Sequence, residues 1–172
     1  MRRSVVLSGM AAALVLAGCA RPAPPPTDGA LIAAFEAHKD LFHEAVAEFD
    51  RAPGIEAVTL REGQASPKAE PKSADPARAE RLARILRSVG ATSVAAGETG
   101  PDNASSLAVR FAYLAPTRWG SKAVKGIVYD RAANPQDQVP DTDAFARRGE
   151  KAKYLYVERR IEGDWYIYQW LD

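Results

Sequence analysis

The sequence predicts an α+β domain in which two N-terminal helices pack on a mostly antiparallel sheet of about four strands. Two observations support this prediction. Apolar residues in the N-terminal half recur every three or four positions, a spacing that places them on one face of a helix. After residue 105 the apolar period falls to two, as in a strand with one buried face. Helices and strands that are segregated along the chain favour a two-layer α+β fold.

Length and composition exclude several classes of protein. The chain has 172 residues, of which 47% are hydrophobic and 26% are charged, as in an ordinary globular protein with one domain. A single cysteine, Cys19, excludes an intramolecular disulfide and a cysteine-rich metal cage. The formal net charge of +1 gives no support for nucleic-acid binding.

Residues 1–18 have the features of an export signal. Arg2 and Arg3 form a basic start, and the apolar run from Ser4 to Leu16 is too short to span a bilayer as a helix. The small residues Ala17 and Gly18 then precede Cys19, as expected for a cleavage site. Loss of the two arginines with this segment lowers the net charge from +1 to −1.

A cysteine directly after Leu16-Ala17-Gly18 resembles the lipobox of bacterial lipoprotein precursors, over residues 1–19. The resemblance implies cleavage between Gly18 and Cys19 and a diacylglyceryl group on the Cys19 sulfur, often with acylation of the new amino terminus. It also implies a place in the cell envelope, and Ala20, which is not Asp, indicates the outer membrane facing the periplasm. The alternative is an ordinary signal peptide with an incidental cysteine.

The segment 19–29 is predicted to be a tether. Four prolines in residues 20–28 favour polyproline geometry, a semi-rigid spacer that rises about 3.1 Å per residue. Such a spacer holds the folded domain, predicted over 30–172, within about 25 Å of the bilayer.

The first helix is predicted over residues 30–50, with Thr27 or Asp28 as its cap and the Pro53-Gly54 pair at its end. Its apolar stripe comprises Leu31, Phe35, His38, Phe42, Ala45, Val46 and Phe49. Residues 55–60 form a short strand, and the polar residues 61–75 form a flexible loop.

The second helix is predicted to begin at Pro76 with Asp75 as its N-cap and to end at Gly90. Strands follow at residues 107–113 and 122–130, with a bulge or close approach at Gly126. A long polar loop over residues 131–150 precedes a C-terminal hairpin of strands 151–161 and 165–171.

The C-terminal residues Gly163-Asp164-Trp165-Tyr166-Ile167, together with the order of the elements, resemble the cystatin-like and NTF2-like cones. The resemblance implies a curved sheet with helices on its concave side.

The hairpin is predicted to carry a surface of aromatic residues, because side chains alternate along a strand. Leu155, Val157, Trp165 and Ile167 point to one side. The other side, named here the aromatic face, comprises Tyr154, Tyr156, Tyr166, Tyr168 and Trp170. We interpret it as a binding surface, with Trp165 buried and Tyr156 and Tyr168 partly exposed. The alternative is that tyrosines simply suit strands.

Other polar groups give weaker signals, and no metal site is predicted. His38 and His43 lie five residues apart on a helix, about 140° around its axis, so they cannot easily share an ion. Asp137, Asp141 and Asp143 lack the spacing of an EF-hand and are typical of turns.

Four arginines lie on the second helix at intervals of three residues: Arg78, Arg81, Arg84 and Arg87. They predict a solvated face supported by a Glu80–Arg84 pair. The alternative is docking on anionic lipid headgroups.

The chain contains no Gly-x-Ser-x-Gly elbow, P-loop, Ser-x-x-Lys or His-Glu-x-x-His motif. We therefore predict a non-enzymatic, lipid-anchored envelope protein without a cofactor, which binds a protein partner or serves as a structural module. The first alternative is a carrier of a small apolar ligand or lipid, which requires a cavity of several hundred Å³. A third candidate, an envelope hydrolase, requires an exposed His38 or His43 beside a serine and a carboxylate.

Overall fold

A computed structural model describes residues 24–51, 54–61, 66–99, 106–113, 124–147 and 155–171. The helices are α1 (Asp28–Ala37), α2 (Lys39–Arg51), α3 (Pro76–Val89) and α4 (Thr142–Arg147), and Pro135–Asp137 form a 3₁₀ turn. The strands are β1 (Ala57–Thr59), β2 (Lys68–Glu70), β3 (Ser93–Thr99), β4 (Ser106–Ala112), β5 (Val124–Asp130), β6 (Leu155–Glu162) and β7 (Trp165–Leu171). None of the helices in these ranges has the length and apolar character that crossing a membrane requires.

The fold is α+β, with a wholly antiparallel sheet in the order β2-β1-β3-β4-β5-β7-β6. The predicted class is therefore confirmed, but the described ranges hold seven strands and four helices, not about four strands and two helices. The helix arrangement also differs, because β1 and β2 precede α3.

The helix predicted over residues 30–50 is two helices that meet at His38. His38 has φ −131° and ψ 25°, and its backbone N–H donates to the carbonyls of Ala34 and Phe35, which ends α1. The His38 carbonyl then accepts from Leu41 and Phe42 in α2. Thr27 caps α1, since its hydroxyl accepts from the Ala30 N–H at 3.2 Å.

The ends of α3 match their prediction. The Asp75 carboxylate accepts from the Ala77 N–H at 3.0 Å, which satisfies a donor of the first turn. Gly90 ends the helix at φ 73°, a conformation that costs a glycine little.

Two strands lie where none was expected. Lys68–Glu70 form β2 inside the segment 61–75 that was predicted as a flexible loop, and they pair with β1. Ser93–Thr99 form β3, which pairs with β4 over its seven residues. Val94 is its only large aliphatic residue, so β3 depends on hydrogen bonds to its neighbours and lacks a clear apolar alternation.

The main core lies between the helices and one face of the sheet, with Trp165 at its centre. The Trp165 ring contacts Phe35, Phe42 and Phe111 at centroid distances of 5.2, 5.8 and 6.3 Å. Its predicted burial is confirmed at 2% exposure.

The N-terminal boundary of the folded domain also differs from its prediction. Asp28, assigned to the tether, is the first residue of α1 and is 2% exposed. The signal segment, Gly18 and Cys19 lie outside the described residues.

Candidate functional site

The strand register places the described tyrosines of the C-terminal hairpin on one face of the sheet, as predicted. Tyr156 lies opposite Trp170, and Glu158 lies opposite Tyr168. A register shift between Arg160 and Glu162 supplies the extra residue that brings both sets to the same side of the hairpin. Tyr154 lies outside the described residues.

The aromatic face is less exposed than expected. Trp170 is 40% exposed and Tyr156 is half-buried, in line with the prediction for Tyr156. The prediction that Tyr168 is partly exposed is wrong, because Tyr168 and Tyr166 are only 4% and 6% exposed.

Close packing around Gly126 accounts for the burial of Tyr168. A Cβ atom at Gly126 would lie 2.8 Å from Tyr168 Cε1 and would also meet the Phe111 carbonyl, so the predicted close approach at this glycine is confirmed. Tyr156 stacks on Tyr168 with ring centroids 6.3 Å apart. Tyr166 and Tyr168 therefore form a second small apolar cluster with Ala108 and Val128.

A buried carboxylate, which the sequence analysis missed, lies among these rings. Glu158 is 1% exposed, and the Tyr156 hydroxyl donates to its Oε1 atom. Its Oε2 atom has no hydrogen-bond partner within the part of the chain that the structure describes. Burial raises the pKa of Glu158, and the charge of Asp130 raises it further, while Tyr156 and Arg110 act in the opposite direction.

Arg110 on β4 belongs to the same cluster. Burial and Glu158 raise the pKa of Tyr156, whereas the charge and the side-chain hydrogen bond of Arg110 lower it. The flanking residues Ala108 and Ala112 are buried, so β4 is covered on both faces. Its alternation had predicted that only one face is covered. The clue for Glu158 was parity, since it alternates in step with Tyr156 along β6. Arg110 joins this face only through the pairing of β4 with β5 and of β5 with β7.

A second polar cluster lies at the opposite face of the sheet. Lys125, the second residue of β5, is 1% exposed, and its Nζ atom lies 2.6 Å from Asp28 Oδ1. Lys125 also pairs with Asp143, whose Oδ2 atom accepts from the Asp28 N–H at 2.8 Å. The cluster thus joins α1, α4 and β5.

Asp28 receives further donors that keep it charged. Its carboxylate accepts from the Thr142 N–H at 2.9 Å and from Arg159 at 3.0 Å. Burial alone would raise the pKa of Asp28, but hydrogen bonds from Lys125, Thr142 and Arg159 outweigh it and lower the pKa to about 2.

Two of the three acidic residues predicted in the long loop, Asp141 and Asp143, lie in this cluster. Carboxylate oxygens of Asp28, Asp141 and Asp143 lie within 4.8 Å of one another. Lys125 supplies a cation to two of these three groups. Asp141 acts as a helix cap, since it accepts from the Ala144 N–H at 2.7 Å, in agreement with the predicted role of a turn residue.

The histidines lie apart from both clusters. His38 is half-buried at the junction of α1 and α2, although the sequence placed it on the core stripe. His43 is exposed, and its ring meets Trp165 edge-on at 5.3 Å.

Most of the arginines of α3 form ion pairs within the domain. Arg78 is buried with its Nε atom 3.3 Å from Glu48 Oε2, and Arg81 reaches the same carboxylate oxygen at 3.4 Å. Glu80 pairs with Arg87 at 2.9 Å. The sequence had predicted Arg84 as its partner. The predicted solvated face is therefore in part a link between α3 and α2.

A surface groove of 380 Å³ lies between β2 and the start of α3, where Lys68, Lys72 and Glu80 line it. It is open to solvent and lies at the edge of the sheet, since β2 is the edge strand.

The aromatic face thus combines an exposed indole, a half-buried phenol and a buried carboxylate with one oxygen unpaired. The exposed Trp170 indole and the half-buried Tyr156 ring can contact an apolar surface, as interface residues do, whereas the Glu158 oxygen lies beneath the surface. Comparisons of the chain with protein-family models, curated proteins and solved structures found no match.

Proposed function

We propose that the protein is a non-enzymatic lipoprotein of the cell envelope, anchored through Cys19, whose domain binds a protein partner through the aromatic face. The Leu16-Ala17-Gly18-Cys19 sequence supports the anchor, and Ala20 supports outer-membrane sorting toward the periplasm. A proline-rich spacer followed by a folded domain is the organisation that such an anchor requires.

The observation that carries the binding proposal is the unpaired Oε2 atom of Glu158 on the aromatic face. A buried acceptor without a donor costs about 1–3 kcal/mol. Because this atom is buried, a partner reaches it only when the surrounding side chains move, and an amide, ammonium or guanidinium donor placed there relieves this cost. Tyr156 and Trp170 flank the position and are of the residue types that dominate the energetics of protein interfaces.

A carrier with a cone-shaped cavity, as in the cystatin-like or NTF2-like cones, is the second candidate. A ligand between the helices and the sheet would have to displace the rings of Phe35, Phe42 and Trp165, which are in mutual contact. The groove beside β2 supports a carrier weakly, because it is open and lined by Lys68 and Lys72. The aromatic face therefore favours protein binding.

The anchor is tested by Cys19→Ser. The variant should lose incorporated acyl label and should leave the precursor uncut by the lipoprotein peptidase. A variant that keeps wild-type mobility and detergent partitioning would contradict the anchor.

The binding surface is tested by capture from envelope membranes with the full-length lipidated protein as bait. A protein captured by the wild type should be lost with Glu158→Gln or Tyr156→Phe and retained with Arg84→Ala, which alters an exposed residue of α3. Equal capture by all four baits would contradict the proposed surface.

A further inference from the structure

The lipid tether joins the folded domain at one end of the sheet. Asp28, the first residue of α1, is bound to Lys125 near the start of β5. Arg159 and Thr142 bind the same carboxylate, so the point at which the chain enters the domain is held by buried polar contacts. The residue before it, Thr27, caps the helix.

Trp170 lies at the same end of the sheet. It is the penultimate residue of β7 and pairs with Val124, the first residue of β5 and the neighbour of Lys125. Within the described ranges, Trp170 is the exposed large hydrophobic side chain, whereas Trp165 near the other end of β7 is buried.

The tether is short compared with the domain. Eight residues separate Cys19 from Asp28, and at about 3.1 Å per residue a polyproline spacer of this length extends about 25 Å. A folded domain of this length has a diameter of roughly 35–40 Å. The end of the domain that receives the tether is therefore kept nearer to the bilayer than the opposite end.

The chemistry of the exposed groups at this end fits a bilayer surface. An indole ring has an apolar body and a polar N–H, and tryptophan is enriched where hydrocarbon meets headgroups. Arg147, the last residue of α4, is exposed and lies one helical turn beyond Asp143, which binds Lys125. A cation at this position attracts anionic headgroups.

We infer that the Trp170 end of the sheet lies against the membrane, with the indole ring in the headgroup layer. This inference rests on the lipid anchor of the proposed function. It divides the aromatic face, because Trp170 contacts lipid while Tyr156 and Glu158 remain available to a protein partner.

Fluorescence quenching by brominated lipid tests the contact. The full-length lipidated protein is reconstituted into vesicles of phosphatidylethanolamine and phosphatidylglycerol, with or without lipid brominated close to the headgroup. Bromine quenches tryptophan on contact, so wild-type emission should fall in the brominated vesicles. Trp170→Phe should remove most of that fall, whereas the matched variant Trp165→Phe should retain it. Trp170→Tyr provides a second substitution if the first one does not fold.

Flotation of the vesicles separates the failure of the contact from the failure of the anchor. If wild-type protein floats with the vesicles but shows no quenching, or quenching that Trp170→Phe leaves unchanged, the inference is overturned and the anchor stands. Trp170 is then left to the protein partner. If the protein neither floats nor carries acyl label, the anchor itself is refuted, and the inference fails with it.

Discussion

Lys125 Nζ lies 2.6 Å from Asp28 Oδ1, which binds the first residue of α1 to β5 across almost 100 residues of sequence. Both side chains are almost fully buried, so the pair is shielded from the water that weakens ion pairs at the surface. Asp143 and Arg159 extend these contacts, so that ion pairs join two carboxylates to two cations.

Removing one member of this cluster should destabilise the domain strongly. Asp28→Ala leaves Lys125 buried with Asp143 as its remaining carboxylate, and breaking a buried pair in this way typically costs about 3–5 kcal/mol. The free energy of unfolding, measured in urea, reports the loss. Lys39→Met is the control, because it breaks the exposed Lys39–Glu162 pair, which is worth about 1 kcal/mol or less. Equal losses in the two variants would show that the buried cluster is not an important source of stability.

Acid should remove the contribution of Asp28. Its pKa falls from an ordinary value of 3.8 to about 2 on folding, so the contribution is complete above pH 4 and is lost as the pH falls from about 4 to 2. Wild-type stability should decrease across this window more steeply than that of Asp28→Asn. Urea unfolding at a series of pH values measures the two curves, and parallel curves below pH 4 would contradict the lowered pKa.

The contribution of Glu158 to stability should fall as the pH rises, whereas that of Asp28 falls as the pH decreases. Burial raises its pKa, so the folded state binds a proton more readily than the unfolded state, and this contribution to stability declines as the pH rises above about 4.5. Glu158→Gln keeps the shape of the side chain and an acceptor for the Tyr156 hydroxyl, but it does not ionise. The variant should therefore gain stability relative to wild type as the pH increases from 4.5 to 7.

The matched control for this experiment is Glu56→Gln, which changes an exposed residue. It makes the same change from carboxylate to amide and so reports the effect of that change at the surface. A Glu158→Gln curve that ran parallel to that of the wild type would contradict the raised pKa of Glu158.

Tyr168→Ala should destabilise the domain strongly, whereas the same substitution at an exposed tyrosine would have little effect on stability. Tyr168 is 4% exposed and is packed against Gly126 and Tyr156, so its removal leaves a cavity. Trp165→Ala and Tyr168→Ala should each cost about 3–5 kcal/mol, the range for deletion of a large buried aromatic ring. Trp170→Ala, at the exposed end of the same strand, should cost much less. Thermal melts of the three variants measure these differences, and a mild effect of Tyr168→Ala would mean that this side of the sheet is open to solvent.

Several features of the fold could be read from the sequence because their causes are local. The Asp75 cap and the Gly90 terminus delimit α3 through contacts within a few residues. The alternation of the hairpin separated Trp165 from Tyr156 and Tyr168, since neighbouring side chains in a strand point to opposite faces.

The candidate site could not be predicted fully from the sequence, because it depends on contacts between distant parts of the chain. Alternation showed that Glu158 shares a face with Tyr156, but the burial of that face follows from the packing of Tyr168 over Gly126 on a neighbouring strand. The strand β3 has little apolar pattern and is defined by its hydrogen bonds to β1 and β4.

The sequence by itself determined the α+β class, the ends of α3 and the two-sided hairpin, because short-range backbone preferences and side-chain periodicity control them. Only the tertiary structure decided that Asp28 belongs to the folded domain, where Lys125 and Arg159 neutralise its buried charge. A proline-rich stretch before a helix carries no local sign of such a contact. Its partners lie about 100 residues or more further along the chain, and the pairing of β5, β7 and β6 brings them together.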